Sequence, residues 1–485
     1  MLKYLPHTAH HSLLPALQSF PSNAPTSFSI PDLKHWYTST TTDPLHPALA
    51  ACAVWSALVW VLGEATGNVS QVDRLWTTLP LFYSAHFTFY PYLTGLVSSP
   101  KDLDPRMLLV FGLQCCWAAR LTYQSARRGF LDPRSEDYRW PIVRRAMPPL
   151  AFKLLNLVFI SIAQNILLLV AELPQYLLLT HYLSSSSHVS ALARLKPHHA
   201  SITGGSVPLN VADVLLAGAF VTTLALEMRA DNEQQRFQNM KHAAFEKQRK
   251  GAALSKEEQK VIERGFVAEG LWSWSRHPNF ACEQTTWYLL YAFTVLPFLP
   301  LTQSLTSHPL STLSSLVHPS SLPALFNHSK STLTSLSSHV PSLDELLTSL
   351  EHPLVFTRQH LSHFSSNPTA YLSSLPALKL TVQRALRHAV AEVRADEGVW
   401  WNYSILAPVS MSGLFVASTE LTERITGGKY PLYKTYRKRV AKFWPVNTPL
   451  KGVYLALTGG RRGRVDRKIW GEGEGAGGKG GFKRE

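Results

Sequence analysis

The stretch VADVLLAGAFVTTLAL (211–226), followed without a break by EMRADNEQQRF (227–237), decides how this chain is read. The first part carries a single charge, Asp213, and the second is crowded with them. A helix running through both is apolar for roughly 24 Å and then turns polar, as a membrane span does where it leaves the hydrocarbon. Similar apolar runs recur at Ala48–Leu62, Leu75–Val97, Met107–Ala119, Leu154–Leu179, Thr285–Leu301 and Ile405–Thr419. Several approach the ~20 residues that cross ~30 Å of hydrocarbon. The shorter ones also read as buried core helices. Trp76, Tyr92, Trp287, Trp400 and Trp401 lie near run ends, where interfacial aromatics sit. The expected fold is therefore all-α: a polytopic membrane protein of about seven transmembrane helices, with a long low-complexity loop insertion.

Averages conceal this pattern. The 485 residues are 45% hydrophobic and 16% charged, with a mean hydropathy of −0.02. That charged fraction is below the roughly 25% of soluble domains. The net charge of +15 suits nucleic acid, anionic lipid or a phosphate-bearing cofactor, and by itself selects none of them. Four cysteines, Cys52, Cys115, Cys116 and Cys282, exclude a disulfide scaffold, and without a CxxC pair no metal site is expected.

Basic residues cluster in Arg120–Arg145, in Arg229–Arg276 and after Glu423, so these segments share the cytosolic side by the positive-inside rule. The expected organisation is a polar N-terminal segment (1–47), spans one to six (48–301), a Ser/Leu/Pro-rich insertion (302–398), the last span with a terminal helix (399–446) and a basic Gly-rich tail (447–485). The insertion holds an Asn327-His328-Ser329 sequon, usable if that loop is lumenal. The first 47 residues read as neither a secretory nor a mitochondrial signal, leaving span one as an uncleaved targeting element. From Gly459 onward the tail reads as disordered and basic, near an anionic leaflet. It lacks the interleaved aromatics of an RNA binder, so nucleic acid is not an expected partner.

Three cytosol-facing clusters concentrate chemistry. Glu227, Asp231 and Gln234 share one helical face at a span end, where carboxylates and amides could hold ribose hydroxyls and a carboxamide. An ordinary solvated helix exit fits them equally. In Ser275-Arg276-His277-Pro278-Asn279-Phe280-Ala281-Cys282-Glu283, Arg276 offers a bidentate phosphate clamp, His277 and Asn279 add donors, and Glu283 is an expensive carboxylate where a span begins. An interfacial Trp belt with a turn is the plainer alternative. Tyr430, Tyr433 and Tyr436 then form an i, i+3, i+6 stripe beside a basic face. It reads either as a membrane-surface helix or as an aromatic wall over an anionic cofactor.

Together the E-x-x-x-D-x-x-Q span end, the S-R-H-P-N-F-x-x-E turn and the Y-x-x-Y-x-x-Y helix resemble the steroid 5-alpha-reductase family, and more narrowly its uncharacterised fungal and bacterial membrane branch. Val72-Asp73-Arg74-Leu75-Trp76, Arg120-Leu121-Thr122-Tyr123 and Glu136-Asp137-Tyr138-Arg139-Trp140 also resemble that branch. The resemblance covers about residues 48–300 and 399–446. It implies an NADPH-dependent reductase of the endoplasmic reticulum that reduces an enone double bond in a sterol or other lipid. Glu227, Asp231 and Gln234 would grip nicotinamide and ribose. Arg276, His277, Asn279 and Glu283 would close on the cofactor, with Tyr430, Tyr433 and Tyr436 as the wall. The turn departs from the family in carrying Phe280 where Tyr is commoner.

Hydride delivery to an enone builds charge on the ketone oxygen, which a donor must stabilise. Asp73 and Tyr138 are the catalytic candidates for that task. Asp73 also reads as a helix cap or a partner of Arg74, and Tyr138 as an interfacial anchor. An S-adenosylmethionine-dependent isoprenylcysteine- or phospholipid-type methyltransferase has a similar turn. A non-catalytic lipid-binding protein is the third reading.

Overall fold

A computed structural model describes residues 8–185 except 26 and 40, then 208–299, 302–303, 306, 402–458 and 461–471. The sequon at Asn327, Trp400 and Trp401, and nearly all of the 302–398 insertion lie outside the described residues. The structure is about 78% helical, with no strand among the described residues.

The helices that position the site are α1 (Leu45–Thr66), α2 (Leu79–Leu93), α3 (Pro105–Arg127), α4 (Pro149–Val170), α5 (Leu173–Ser185), α6 (Val211–Arg249), α7 (Lys256–Arg264), α8 (Pro278–Ala292), α9 (Leu406–Lys429), α10 (Leu432–Arg439), α11 (Asn447–Leu457) and α12 (Arg462–Trp470). Four of them, α1, α4, α6 and α9 (extended back to Tyr403), are long and apolar enough to cross a membrane. By length and composition that makes four among the described residues, against an expectation of about seven.

Particular residues explain the difference. The run Leu154–Leu179 is two helices, because Pro174 cannot continue α4 and instead starts α5. Glu172 sits at this break, buried, with Gln114 donating to its two oxygens at 2.9 and 2.7 Å. Every residue of α5 from Leu173 to Leu183 is buried, so α5 is a core helix. The runs Leu75–Val97 and Thr285–Leu301 yield only the 15-residue helices α2 and α8. Helix α3 has 23 residues but carries Arg106, Gln114, Arg120 and Gln124 on its buried face.

That face sets the register of the bundle. Arg106 makes a bidentate contact with Asp213, at 2.7 and 2.9 Å, near the starts of α3 and α6. Fourteen residues further along both helices, Arg120 meets Glu227 at 2.9 Å. The two helices are therefore parallel, clamped at points ~21 Å apart. Helix α8 runs antiparallel to α6, since Asn279 reaches Asp231 at 3.1 Å and Asn210 reaches the Pro297 carbonyl at 2.7 Å.

The three basic segments meet at one end of the bundle. Arg128 contacts Asp231 at 2.8 Å, Arg139 contacts Ser418 at 2.6 Å, and Arg276 contacts Glu423 at 2.7 Å. The tail departs from its sequence reading: residues 447–457 and 462–470 are helical, and Ile469 and Trp470 are buried against Phe266 and Tyr436.

Arg106→Ala leaves Asp213 buried without its cation. The expected cost is about 3 kcal/mol, read as lost thermal stability of the purified chain, with most of it recovered in an Arg106→Met/Asp213→Leu double variant.

Candidate functional site

Three helices each bring polar residues one turn apart to a common seam. Helix α3 supplies Trp117 and Arg120, α6 supplies Glu227 and Asp231, and α8 supplies Asn279 and Glu283. The Arg120 guanidinium lies 2.9 Å from Glu227, 3.2 Å from Asp231 and 3.0 Å from Glu283. Arg128 and Asn279 donate to the other Asp231 oxygen at 2.8 and 3.1 Å, and the Trp117 indole donates to Glu283 at 3.0 Å. Trp117 in turn packs edge-on against Trp287 at 5.2 Å. Glu227 and Asp231 are 3% exposed and Glu283 6%, so this is no solvated helix exit.

Three carboxylates face two guanidiniums, leaving the cluster one negative charge in excess at full ionisation. Three buried polar atoms here have no hydrogen-bond partner: Arg120 Nε, a donor, and Gln234 Oε1 and Glu227 Oε2, acceptors, the last facing Arg120 as an ion pair. Buried polar groups are ordinarily paired, so these atoms can take a ligand's hydroxyl or amide, although such orphans also occur elsewhere among the described residues.

The Ser275–Glu283 turn is fastened from the C-terminal side. The Arg276 amide donates to the Ala441 carbonyl at 2.8 Å and the His277 amide to Lys442 at 3.1 Å, an isolated parallel pairing around Ser275 and Ala441. The Arg276 guanidinium is bidentate to Glu423, at 2.7 and 3.2 Å, and also donates to the carbonyls of Arg437 and Val440. His277 Nε2 lies 3.0 Å from Glu423, and Arg437 lies 3.2 Å from it. Glu423 is fully buried and is the common partner of all three. Arg276, read from sequence as a phosphate clamp, is thus occupied as a fastener of this clasp.

The tyrosine stripe divides. Tyr433 and Tyr436 are buried with Phe266, Ile469 and Trp470, and the Tyr436 hydroxyl donates to the Trp272 carbonyl, so both are packing residues. Burial pushes their phenols up, helped for Tyr433 by the nearby Glu423. Tyr430 has an unpartnered hydroxyl and lies over Gly265, whose φ of +72° and close approach to the ring exclude a Cβ.

The two motifs at 72–76 and 136–140 meet each other. Trp140 donates to Asp73 at 3.2 Å, and Arg74, Asn68 and Val69 are bonded into residues 132–136. Burial raises the Asp73 carboxyl above its ordinary value, opposed by the Trp140 and Ser70 hydrogen bonds. Tyr138 is 54% exposed beside it. Arg139 joins this corner to Ser418 of α9, the helix that carries Glu423. The corner and the Arg120 cluster are separate groups of side chains: Asp73 is bonded to Trp140, whereas the cluster's carboxylates are bonded to Arg120, Arg128, Asn279 and Trp117.

The sequence does not mark Arg120, Arg128 and Glu423 as site residues. Arg120 is visible as the charge that closes the Met107–Ala119 run and as the first residue of the Arg120–Tyr123 motif, with no role attached to it. Glu423 carries no signal of its own, because two of its three partners, Arg276 and His277, are 147 and 146 residues away.

Burial holds the His277 imidazole below its ordinary 6.5, against the pull of Glu423. The folded protein binds that proton less readily than the unfolded chain. Its contribution is therefore complete above about pH 6.5 and is lost as pH falls through the depressed folded value. Amide exchange over residues 275–280, corrected for intrinsic rates, is expected to accelerate between about pH 7 and pH 5. His277→Asn should flatten that dependence.

Comparison with known proteins identifies a family that covers most of these residues. The family described as "Protein of unknown function (DUF1295)" matches residues 59–336, which takes in the Arg120 cluster, Asp73, Tyr138 and the turn, and stops short of Glu423. A Schizosaccharomyces pombe protein named "Uncharacterized protein C594.04c" is 31% identical over 252 residues, 52% of this chain. The chain spans 65% of that relative's length. No solved structure matches. The match extends over more than half of the sequence, and the chain belongs to the DUF1295 family.

Proposed function

We propose that this protein is a membrane-embedded, NADPH-dependent reductase of a carbon–carbon double bond conjugated to a ketone in a sterol or other lipid, resident in the endoplasmic reticulum. The observation that carries this reading is the buried cluster of Arg120, Glu227, Asp231 and Glu283, set where three helices leave the apolar layer. The residues fit such a cofactor. Asp231, Gln234 and Asn279 would hold ribose hydroxyls and the carboxamide, groups that both donate and accept and so suit the orphaned Arg120 Nε and Gln234 Oε1. The side chains of Arg128 and Arg437, 40% and 41% exposed, would face the phosphates. Arg276 serves at one remove, by keeping the turn that carries Asn279 and Glu283 in place.

When bound, NADPH supplies a hydride, and this chain supplies orientation and a donor for the charge that develops on the ketone oxygen. Asp73, with its carboxyl biased toward the neutral form, can donate a hydrogen bond there. Tyr138 is the second donor of that corner.

One observation favours a second reading. The excess carboxylate in the cluster also suits the sulfonium cation of S-adenosylmethionine, and with it a lipid or isoprenylcysteine methyltransferase. Thermal stabilisation of the purified full chain separates the two. NADPH at about a hundred times its Kd is expected to add about 2.7 kcal/mol. Asp231→Asn should weaken NADPH binding about tenfold while membrane insertion is kept. Stabilisation by S-adenosylmethionine alone would overturn the reductase, and stabilisation by neither would favour a lipid-binding protein.

A further inference from the structure

Helix α11 has two different apolar faces. Its inward face, Thr448, Gly452 and Leu455, is buried, and Gly452 leaves room for the Arg439 guanidinium, 3.3 Å from where a Cβ would stand. Its outward face carries Leu450, Val453, Tyr454 and Leu457 at i, i+3, i+4 and i+7, exposed by 63, 52, 66 and 81%. Trp444 and Val446, 46% and 72% exposed, continue the stripe. A contiguous apolar surface of this kind marks an interaction face.

The charges on the next helix identify the occupant. Arg461, Arg462, Arg464, Arg467 and Lys468 lie on or beside α12, with Arg461, Arg462, Arg464, Arg467 and Lys468 set toward solvent. The one carboxylate among them, Asp466, is held by Arg439 at 2.7 Å. An apolar stripe followed by a cationic helix, shortly after a membrane span and at the basic end of the bundle, complements the surface of an anionic leaflet.

The face is also coupled to the clasp. Thr448 takes the Arg439 guanidinium on its carbonyl at 3.1 Å and the Ala441 amide on its hydroxyl at 2.8 Å. Lys451 donates to the carbonyls of Arg437 and Val440 at 3.0 Å. Residues 437–442 are the strip that holds Arg276 and His277. Whatever fixes α11 fixes that strip.

We propose that α11 lies in the headgroup–acyl boundary of the adjacent leaflet, that the cations of α12 hold anionic lipid headgroups, and that leaflet charge thereby tightens the clasp over the Ser275–Glu283 turn. This coupling is independent of which cofactor the site takes.

The test uses the full chain in nanodiscs of phosphatidylcholine alone and of phosphatidylcholine with phosphatidylserine. One readout is labelling of Leu457→Cys by a membrane-impermeant maleimide, in a Cys116→Ser background because Cys116 is exposed. The other is amide exchange over residues 275–280. Both are expected to slow about tenfold in the anionic discs. Arg464→Glu/Arg467→Glu should abolish the difference, and Leu450→Ser should restore labelling even there. Equal labelling in the two discs would overturn the proposal, as would slowed labelling with unchanged exchange in the turn. Protection that required an added protein would overturn it in favour of a protein partner.

Discussion

A guanidinium taken out of water among carboxylates is the constraint around which this bundle is arranged. Arg120 cannot be left alone where it lies, because an unpaired buried charge costs several kcal/mol. Its three acidic partners come from two other helices, so α3, α6 and α8 must arrive at one seam in one register. The Arg106–Asp213 clamp at the far end makes the same demand fourteen residues earlier on both helices. Two clamps on parallel helices permit neither a slide nor a rotation. Ionic pairs of this kind add little net stability over apolar packing; here two of them, at the same fourteen-residue spacing on α3 and α6, are satisfied together in one register.

The Glu423 clasp is a second solution to the same problem, built from residues later in the chain. Arg276, His277 and Arg437 converge on one carboxylate with no exposure to solvent. It ties a turn in the middle of the chain to helices beyond the 302–398 insertion. Because Ala441 and Lys442 also pair with the turn through their backbone, the attachment does not rest on side chains alone. The glycines at 265 and 270 belong to this region for steric reasons: a side chain at Gly265 would strike Tyr430, and one at Gly270 would strike Glu233.

Much of this architecture is legible in the amino-acid order. The apolar runs at 48–62, 211–226 and 405–419 fall inside helices that do qualify as spans, and contacts bring the three basic segments to one end. Glu227, Asp231, Asn279 and Glu283 stand out by their position at the ends of apolar runs, and they meet. Pro174 marks a break inside the longest run, but its apolar neighbours mask it. Hydropathy also cannot distinguish a core helix such as α5 from a membrane-facing one, since both are apolar all round. Pairings at long separation, Arg120 with three carboxylates or Glu423 with the turn, leave no local trace. Tyr433 and Tyr436 illustrate the converse, since their spacing suggests a wall and the fold makes them a core.

Helix α6 measures ~58 Å end to end, nearly twice the thickness of the hydrocarbon layer. Glu227 and Asp231 stand roughly 24 and 30 Å from its first residue, a distance comparable with the ~30 Å of a hydrocarbon layer. The carboxylate cluster therefore sits where the apolar stretch of α6 ends, with the 22 residues from Met228 to Arg249 standing beyond Glu227.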